Sequence, residues 1–299
     1  MMYKKNKVIP IIFGGLGNQL FIYAAAKRLS ILNNADLILD DKSGFVRDFQ
    51  YKRSFQLDNF NINEKKLKIR KGFQFFSRVY RFLIRLINSK KSFNNSKYIT
   101  QNGMDFEPRL MSKKIKNYLY LIGYWQSEDY FKDIEEIIRK DLVITPPFDR
   151  KNLETFKCIE NLNSVAIHYR FFDNPDISSP NNATKSYYLS ALKYMERVHP
   201  DAHYYVFSDK TDLIKDIIEL PSSKYTVINH NNSDELAIYD LWLMQSCKHF
   251  IIANSTFSWW GAWLSSNKEK IVIAPGFTLK EDKTWWGFTR LIPDEWIKL

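Results

Sequence analysis

The sequence predicts an α/β protein made of two doubly wound domains, and three observations carry this prediction. A β-branched apolar run at 8–13 is followed by a glycine-containing turn and then by residues at helical spacing. Short apolar runs alternate with helical patterns through the second half, as in a parallel sheet covered on both faces. The chain has 299 residues, of which 45% are hydrophobic, enough for two domains with sizeable cores.

The predicted elements follow in order along the chain. The first half holds strands at 8–13, 35–39 and 117–123, with helices at 20–31 and 129–140. The stretch DLVITPPFDRKN contains a Pro-Pro pair and predicts a crossover at about 145–160, so the domains are 1–150 and 151–299. The second half holds strands at 164–168, 203–207, 225–228, 249–252 and 270–274, with helices near 187–198, 211–218 and 235–246.

The turn GGLGN after the first strand predicts a close approach of the backbone to an anion. Gly15 and Gly17 have no side chain that would keep a ligand away from the backbone. The free N–H groups at a helix start favour a phosphate. Asp40 ends the second strand as in a dinucleotide fingerprint, but Leu20 stands where that fingerprint has its third glycine. A tight turn that needs glycine for a positive φ explains the same residues. Both interpretations stay open at this point.

Polar residues follow three of the predicted strands, at the carboxyl ends where parallel α/β sheets bind ligands. The first set lies in HYRFFD. Arg170 suits a diphosphate because its rigid fork donates hydrogen bonds in pairs. His168 suits a base or ribose, and Asp173 is suited to orient the arginine or to act as an acid or base. Turn and capping roles are the alternative for the histidine and the aspartate.

The second and third sets are FSDK and IIANSTFSWWGAWL. Ser208 and Asp209 suit sugar or base edges, although Ser-Asp is also an ordinary pair at a helix start. In the third set a hydroxyl-rich turn offers short donors and backbone N–H groups to an anion, through Asn254, Ser255, Thr256 and Phe257. The aromatic helix that follows is predicted to lie in the core through Trp259, Trp260 and Trp263.

The basic charge is concentrated in one segment. Residues 64–91 carry ten Lys or Arg residues against Glu64, a net charge of +9 out of +11 for the chain. Apolar and basic side chains fall on opposite faces of a helix, the apolar set being Phe75, Phe76, Val79, Phe82, Leu83 and Leu86 and the basic set Arg78, Arg81 and Arg85. Three alternatives fit: a core-packed helix with a solvated back, a helix on an anionic membrane surface, and a nucleic-acid site. No recognised nucleic-acid module accompanies the charge, so no nucleic-acid partner is expected.

Composition argues against several other classes. The two cysteines, Cys158 and Cys247, cannot form a disulfide framework and lack metal-ligand spacing, which favours a reducing compartment. No apolar run approaches the length of about 20 residues that a membrane helix needs. We therefore expect a cytoplasmic protein without a metal or thiol centre.

Four motifs in register resemble one family. GGLGNQLFIYAAAKR, HYRFFD, FSD and NSTFSWWGAWL, in this order and over most of the chain, look like the bacterial α-1,2-fucosyltransferases. The resemblance implies a GT-B fold with two Rossmann-like domains facing across a cleft, an N-terminal acceptor domain and a C-terminal domain that binds GDP-fucose. It also implies inversion at the anomeric carbon without a metal or other cofactor. The acceptor is then a glycan hydroxyl, galactose O2 being expected, on a glycan that is free or linked to a lipid.

Two residues depart from the family pattern. The middle motif usually reads His-x-Arg-Arg-x-Asp, and Phe171 replaces its second arginine; Lys210 follows FSD where another Asp is frequent. Within this resemblance, Arg170 stabilises the departing GDP, and either Asp173 or a group oriented by Asn18 assists removal of the acceptor proton. The sequence does not choose between these two bases.

A glycosyltransferase that uses another nucleotide-sugar donor is one alternative, and two other function classes also compete with this one. A nicotinamide-dependent oxidoreductase would explain the glycine turn and Asp40, but it gives NSTFSWW no task. A carbohydrate-binding protein without catalysis would explain the tryptophans and the basic segment.

Overall fold

The computed structural model describes residues 5–46, 48–68, 79, 82–83, 86–88, 90–172, 182–276, 286 and 288–299. The chain forms two compact units. Unit 1 consists of Met1–Val143 with Thr289–Leu291, and unit 2 of Ile144–Phe288 with Ile292–Leu299.

Unit 1 is built on a five-stranded parallel sheet in the order β3-β2-β1-β5-β4. Its strands are β1 (Lys7–Pro10), β2 (Asp36–Leu39), β3 (Lys65–Lys66), β4 (Tyr98–Thr100) and β5 (Tyr118–Ile122). Its helices are α1 (Leu16–Leu32) and α2 (Glu135–Asp141), with 3-10 turns at Leu57–Asn59, Pro108–Ser112, Glu128–Tyr130 and Lys132–Ile134. Helix α1 is apolar on most of its circumference, and twelve of its seventeen residues are accordingly buried.

Unit 2 is built on a six-stranded parallel sheet in the order β11-β10-β9-β6-β7-β8. Its strands are β6 (Ser164–Tyr169), β7 (His203–Ser208), β8 (Tyr225–Val227), β9 (His249–Ile251), β10 (Val272–Ala274) and β11 (Ile297–Lys298). Its helices are α3 (Arg150–Asn161), α4 (Lys185–Val198), α5 (Ile214–Ile217), α6 (Ala237–Gln245) and α7 (Thr256–Leu264), with 3-10 turns at Thr211–Leu213 and Ser222–Lys224. Every residue of β6 is buried, as expected of a central strand in a sheet covered on both faces.

The tryptophans of α7 lie in the core of unit 2, which confirms their predicted role. Trp259 and Trp260 are fully buried, and Trp263 is nearly so. Gly261 of the same helix packs directly against α6, where a Cβ atom would lie 2.4 Å from the sulfur of Met244. These residues hold α7 against α6, and they do not form an exposed platform for a sugar.

Three local features differ from the sequence prediction. The predicted helix at 129–140 is helical only from Glu135, because two 3-10 turns precede it and Ser127 caps the first of them. The predicted crossover at 145–160 contains α3, which Asp149 begins by accepting a hydrogen bond from the backbone N–H of Asn152 at 2.9 Å. The short strands β3, β4 and β11 were not predicted, since two or three residues carry too little periodicity to detect.

The basic segment 64–91 begins as part of the unit 1 sheet. Lys65 and Lys66 form β3, which pairs with β2, and Glu64 forms an ion pair with Lys27 at 2.6 Å. Further along, the described apolar side chains are exposed by between 39% and 61%, namely Val79, Phe82, Leu83, Leu86 and Ile87. The predicted face residues Phe75, Phe76, Arg78, Arg81 and Arg85 lie outside the described residues. Within the described part of the chain, no helix is long and apolar enough to cross a membrane.

Strand order reverses once in each sheet. From β1 the chain runs outward to β2 and β3, whereas β5 and β4 lie on the other side of β1. From β6 it runs to β7 and β8, whereas β9, β10 and β11 lie on the other side. In open parallel sheets, ligands bind at the carboxyl ends of the two strands that flank such a reversal. A site is therefore expected at the carboxyl ends of β1 and β5 in unit 1 and of β6 and β9 in unit 2. These two places are called the β1/β5 edge and the β6/β9 edge.

Candidate functional site

The β6/β9 edge of unit 2 holds two of the three predicted polar sets. His168 is the penultimate residue of β6, Arg170 directly follows this strand, and Asn254 follows β9. The rings of His168 and Phe257 lie 5.8 Å apart, which brings the first and third sets together. The second set comes from β7, the neighbour of β6 on the other side. The fold thus gathers residues that are up to 89 positions apart in the sequence.

Arg170 and Asp209 form an ion pair at this edge. The parallel register places Tyr169 opposite Ser208. Arg170 and Asp209, the residues that follow them, therefore lie next to each other. Nη1 of Arg170 lies 3.2 Å from Oδ2 of Asp209, with side-chain exposures of 27% and 18%. The guanidinium also lies over the ring of Phe172, 4.9 Å from its centroid. The arginine is held in one direction and remains partly accessible, which suits a bidentate contact to an oxyanion.

Asp209 has a second role in the backbone. Its Oδ1 atom accepts a hydrogen bond from the backbone N–H of Phe171 at 3.0 Å. One carboxylate therefore fixes both the loop after β6 and the arginine that the loop carries. The sequence suggested Asp173 as a residue that could orient Arg170, and Asp173 lies outside the described residues. The carboxylate that pairs with Arg170 in the described structure is Asp209.

Phe171 belongs to the hydrophobic core of unit 2. It is 2% exposed and packs in the cluster that includes Ala183, Tyr187 and Tyr188. The position where the family pattern has a second arginine is therefore used for packing in this chain. Arg170 alone supplies the guanidinium of this motif.

His168 is a neutral imidazole at the β6 end. Burial, and then the positive charge of Arg170, lower the pKa of His168 to about 3. Its backbone carbonyl accepts a hydrogen bond from the Tyr188 hydroxyl at 2.8 Å. Its Nδ1 atom is buried without a hydrogen-bond partner among the described residues. A buried polar atom in this state, at a ligand-binding edge, is suited to a group that a substrate brings.

The turn after β9 begins helix α7. Ser255 is the N-cap, and its Oγ atom accepts a hydrogen bond from the backbone N–H of Phe257 at 3.4 Å. Asn254 is almost fully buried, while Ser255, Thr256 and Phe257 are half-buried. The start of α7 thus presents hydroxyl and N–H groups at the same edge as Arg170.

Ser208 serves the turn after β7. Its Oγ atom accepts a hydrogen bond from the backbone N–H of Lys210 at 3.0 Å. This is the local turn role that the sequence offered as the alternative for a Ser-Asp pair, and it shapes the loop that carries Asp209.

Two tyrosines of α4 support the site and were not found from the sequence. The Tyr187 hydroxyl lies 2.6 Å from the carbonyl of Ile252, directly after β9, and 2.9 Å from that of Ile273, in β10. The Tyr188 hydroxyl reaches the end of β6 through His168. The signal was a Tyr-Tyr pair at the start of a predicted helix, a pattern that core packing alone also explains.

The β1/β5 edge of unit 1 holds the glycine turn. Gly14 has a φ of +79°, so this turn does need a glycine for its backbone conformation. Gly15 is the N-cap of α1, and Gly17 is a buried residue in its first turn. The Oδ1 atom of Asn18 accepts a hydrogen bond from Nε2 of Gln126, beyond β5, at 2.7 Å. The fold therefore places Asn18 at the strand reversal of unit 1.

The described residues contain no group of three or more His, Cys, Asp or Glu side chains arranged to hold a metal ion.

Comparison with known proteins identifies related sequences. The family model described as Glycosyl transferase family 11 matches residues 8–297. An alpha-1,2-colitosyltransferase from Escherichia coli is 30% identical over 316 aligned positions, which cover 98% of each chain. The O-antigen biosynthesis glycosyltransferase WbnK, also from Escherichia coli, is 31% identical over 307 positions, covering 96% of this chain and 98% of WbnK.

Solved structures share the fold. A variant of Arabidopsis thaliana FUT1 in complex with GDP superposes with a TM-score of 0.53 at 11% identity, covering 94% of this chain and 72% of that one. POFUT1 in complex with GDP gives a TM-score of 0.51 at 13% identity, covering 90% and 97%. At such identities the likeness concerns the fold alone. The predicted α/β fold class of GT-B type is confirmed.

Proposed function

Since the chain belongs to glycosyl transferase family 11, we propose that it transfers fucose from GDP-fucose to a hydroxyl group of a glycan acceptor, galactose O2, with inversion at the anomeric carbon. Membership of a glycosyltransferase family decides against the nicotinamide-dependent oxidoreductase and against a carbohydrate-binding protein without catalysis. The name of WbnK supports the proposal of a role in O-antigen or polysaccharide synthesis.

The observation that supports a donor with a diphosphate leaving group is the Arg170–Asp209 pair at the β6/β9 edge. When the glycosidic bond to GDP breaks, negative charge grows on the β-phosphate. A guanidinium that is already oriented stabilises this charge more in the transition state than in the bound donor. The hydroxyl and N–H groups at the start of α7 add donors at the same edge, through Ser255 and Thr256.

His168 complements the arginine because it is neutral. An imidazole with a pKa of about 3 adds no second positive charge at neutral pH, and it keeps one nitrogen as a hydrogen-bond acceptor. That combination suits a ribose hydroxyl or a base edge beside a phosphate. Ser208 and Asp209 border the same edge from β7.

Two groups are proposed for the proton of the acceptor hydroxyl. Asp173 follows Arg170 closely in the chain and is a carboxylate suited to accept that proton. Asn18 cannot act as a base itself, but its amide, held by Gln126, is suited to orient one. Loss of kcat with unchanged GDP affinity in Asp173→Asn, and not in Asn18→Ala, would assign the base to Asp173.

The test of the donor is a panel of nucleotide sugars with one galactoside acceptor. GDP-fucose should give a product with an α-1,2 linkage by NMR, while UDP-galactose and UDP-glucose should give none. Calorimetric titration should show binding of GDP but not of UDP or NAD. Turnover with a UDP-linked sugar and none with a GDP-linked sugar would contradict the proposal.

A second donor is favoured by one relative. The 30% identical Escherichia coli enzyme is named for transfer of colitose, a 6-deoxy sugar that differs from fucose by lacking the 3-hydroxyl. GDP-colitose therefore belongs in the same panel. A site that hydrogen-bonds the 3-hydroxyl prefers fucose strongly, whereas a site without that contact accepts both sugars.

We propose that transfer requires no metal, because Arg170 and the N–H groups of α7 supply the positive potential that the leaving diphosphate needs. Activity should therefore survive EDTA. Activity that is abolished by EDTA and restored by Mg²⁺ or Mn²⁺ would refute this.

We further propose that the enzyme works in the cytoplasm, in contact with the inner membrane through residues 64–91. The support is the net charge of +9 in this segment and the exposure of its described apolar side chains.

A further inference from the structure

The glycine turn of unit 1 lies against Arg53, an arginine that belongs to none of the sequence motifs. A Cβ atom on Gly15 would lie 2.1 Å from Nη1 of Arg53. Gly15 has a φ of −70°, which any residue adopts easily, so its backbone does not require glycine. A side chain at position 15 would displace the guanidinium from the place that it occupies. The glycine thus leaves room for Arg53 beside the turn.

Buried hydrogen bonds fix the loop that carries Arg53. Gln19 is fully buried, and its Nε2 atom donates to the carbonyls of Gly14 and Ser54, each at 2.9 Å. Its Oε1 atom accepts from the backbone N–H of Gln56, also at 2.9 Å. One side chain therefore fastens the segment after Arg53 to the glycine turn.

Asp48 fixes the same loop from the other side. Its Oδ1 atom accepts from the backbone N–H of Tyr51 and its Oδ2 atom from that of Arg53, both at 3.1 Å. Of the two carboxylates that lie five positions from Arg53, Asp48 is thus committed to the backbone of the loop, and Asp58 pairs with Lys66 at 2.6 Å. Because both ends are held, the position of Arg53 is defined without any contribution from its own guanidinium.

The guanidinium of Arg53 has no anionic partner in the described part of the chain. Among those residues, no carboxylate lies within 4.0 Å of it and none accepts a hydrogen bond from it. Its contact is to the ring face of Tyr51, 4.6 Å from the centroid. Stacking occupies the face of the guanidinium and leaves the N–H donors at its edge that are not packed against Gly15 available.

The location is the strand reversal of unit 1. Gly14 and Gly15 follow β1, and Tyr124 follows β5, on the two strands that flank the reversal. The rings of Phe13 and Tyr124 lie 4.8 Å apart, which joins the two strand ends. Asn18 reaches Gln126 at the same edge. Arg53 thus stands where an open parallel sheet binds its ligand.

We propose that Arg53 contacts substrate and binds a phosphate oxygen through its guanidinium edge. This rests on the proposed glycosyl transfer, in which phosphate oxygens have two sources. One is the diphosphate of the nucleotide donor; the other is a diphosphate at the reducing end of the acceptor glycan. Arg is suited to either, because its fork donates two parallel hydrogen bonds to one phosphate.

The experiment compares Arg53→Lys and Arg53→Gln with a matched control. Arg109→Lys is that control: Arg109 also stacks on a ring, Phe93, at 4.6 Å, but it is ion-paired with Glu107 and more exposed. Calorimetry gives the Kd for GDP. Kinetics with GDP-fucose give KM for a neutral galactoside and for the same galactoside with an alkyl diphosphate at its reducing end. Thermal denaturation tests whether each variant is folded.

The expected result is a tenfold or larger rise in one constant, greater for Gln than for Lys, with Arg109→Lys unchanged. A rise in the Kd for GDP assigns the contact to the donor. A rise in KM confined to the diphosphate-bearing galactoside assigns it to the acceptor. If both Arg53 variants fold and all three constants stay within twofold of the parent, the inference is wrong. GDP affinity is measurable even if the parent transfers no sugar, an outcome that would contradict the proposed function instead.

Discussion

At the scale of single residues, the site depends on one arginine and the carboxylate that orients it. Arg170 has no second arginine beside it, since Phe171 lies in the core. Asp209 both pairs with Arg170 and holds the backbone at Phe171. We therefore expect the two charges to act as one unit.

Arg170→Lys should keep the fold but lower kcat/KM for the donor at least tenfold, because an ammonium group cannot donate the parallel pair of hydrogen bonds. Asp209→Asn keeps an acceptor for the Phe171 N–H but removes the ion pair, so we expect a similar loss.

The double variant should then lose much less kcat/KM than the product of the two single losses. Steady-state kinetics of the three variants measure this. Arg197→Lys is the control, since Arg197 stacks on Tyr194 in the same unit. Fully multiplicative losses would mean that the two residues act independently.

Phe171→Arg should destabilise unit 2, because an unpaired charge would enter the core where Phe171 is 2% exposed. We expect a loss of about 3 kcal/mol or more in the free energy of unfolding, measured by chemical denaturation. Phe148→Arg makes the same chemical change at a side chain that is 95% exposed and should have little effect. Equal stability of both variants, with tighter GDP binding in Phe171→Arg, would show that position 171 can still serve the donor.

At the scale of elements, a polar network joins two helices of unit 2 to the loop after β8. Asn152 of α3 and Asn231 of the loop exchange two amide hydrogen bonds, at 2.9 and 3.0 Å. Nε2 of His230 lies 3.0 Å from Oδ1 of Asn152. Asn231 also donates to Oδ1 of Asp240, on α6, at 2.8 Å. The loop after β8 is thus held by both helices at the carboxyl edge of the sheet.

Asp240 makes this network sensitive to pH. Burial raises the pKa of Asp240 to about 7, although the hydrogen bond from Asn231 lowers it. The folded chain therefore holds this proton more tightly than the unfolded chain. The resulting stabilisation is complete below the ordinary carboxyl pKa near 4 and is lost as the pH rises through about 7.

Asp240→Asn should remove that dependence while keeping an oxygen acceptor for Asn231. Relative to the variant, the parent should lose roughly 2 to 3 kcal/mol of unfolding free energy between pH 5 and pH 8. Denaturation curves at both pH values measure the difference. Asp216→Asn, at an exposed position of α5, should show no such change. A parent and a variant with parallel pH profiles would place the Asp240 pKa near its ordinary value.

The sequence predicted the strand ends that carry the site better than the contacts between them. Arg170, Asn254 and Ser255 could be placed at strand ends, because apolar runs mark β6 and β9. The pairing of Arg170 with Asp209 could not be predicted, because it depends on the register of β6 against β7 across 39 positions of sequence. The contact of Arg53 with Gly15 depends in the same way on the buried bonds of Gln19. Asp173 stays a prediction.

At the scale of the whole molecule, charge and exposed apolar surface occur in the same segment. Residues 64–91 carry nearly all of the net charge, and Phe82 and Ile87 are exposed by 61% and 60%. Both features suit contact with an anionic membrane. Each Lys or Arg near the surface adds about 1 kcal/mol to the binding free energy, and apolar side chains add burial.

The purified protein should therefore co-sediment with vesicles that contain anionic lipid, and less so as salt rises. Replacing Arg78, Arg81 and Arg85 with Gln together should weaken binding, as should Phe82→Ser with Ile87→Ser, while turnover of a soluble acceptor stays largely intact. Phe148→Ser removes an aromatic side chain elsewhere in the chain that is even more exposed, by 95%, and should change nothing. A protein that ignores anionic vesicles at low ionic strength would rule out membrane contact through this segment.

The route of the chain also limits how members of this family can be recombined. Residues 289–291 belong to unit 1, where the Thr289 N–H donates to Asp105 at 2.8 Å and Arg290 pairs with Asp129. The residues after them return to unit 2 and supply β11, the edge strand. A chimera joined once, between 143 and 144, would therefore take its 289–291 segment from the wrong parent. Exchange of donor-binding halves between relatives should succeed only when three residues near the carboxyl terminus stay with the amino-terminal parent.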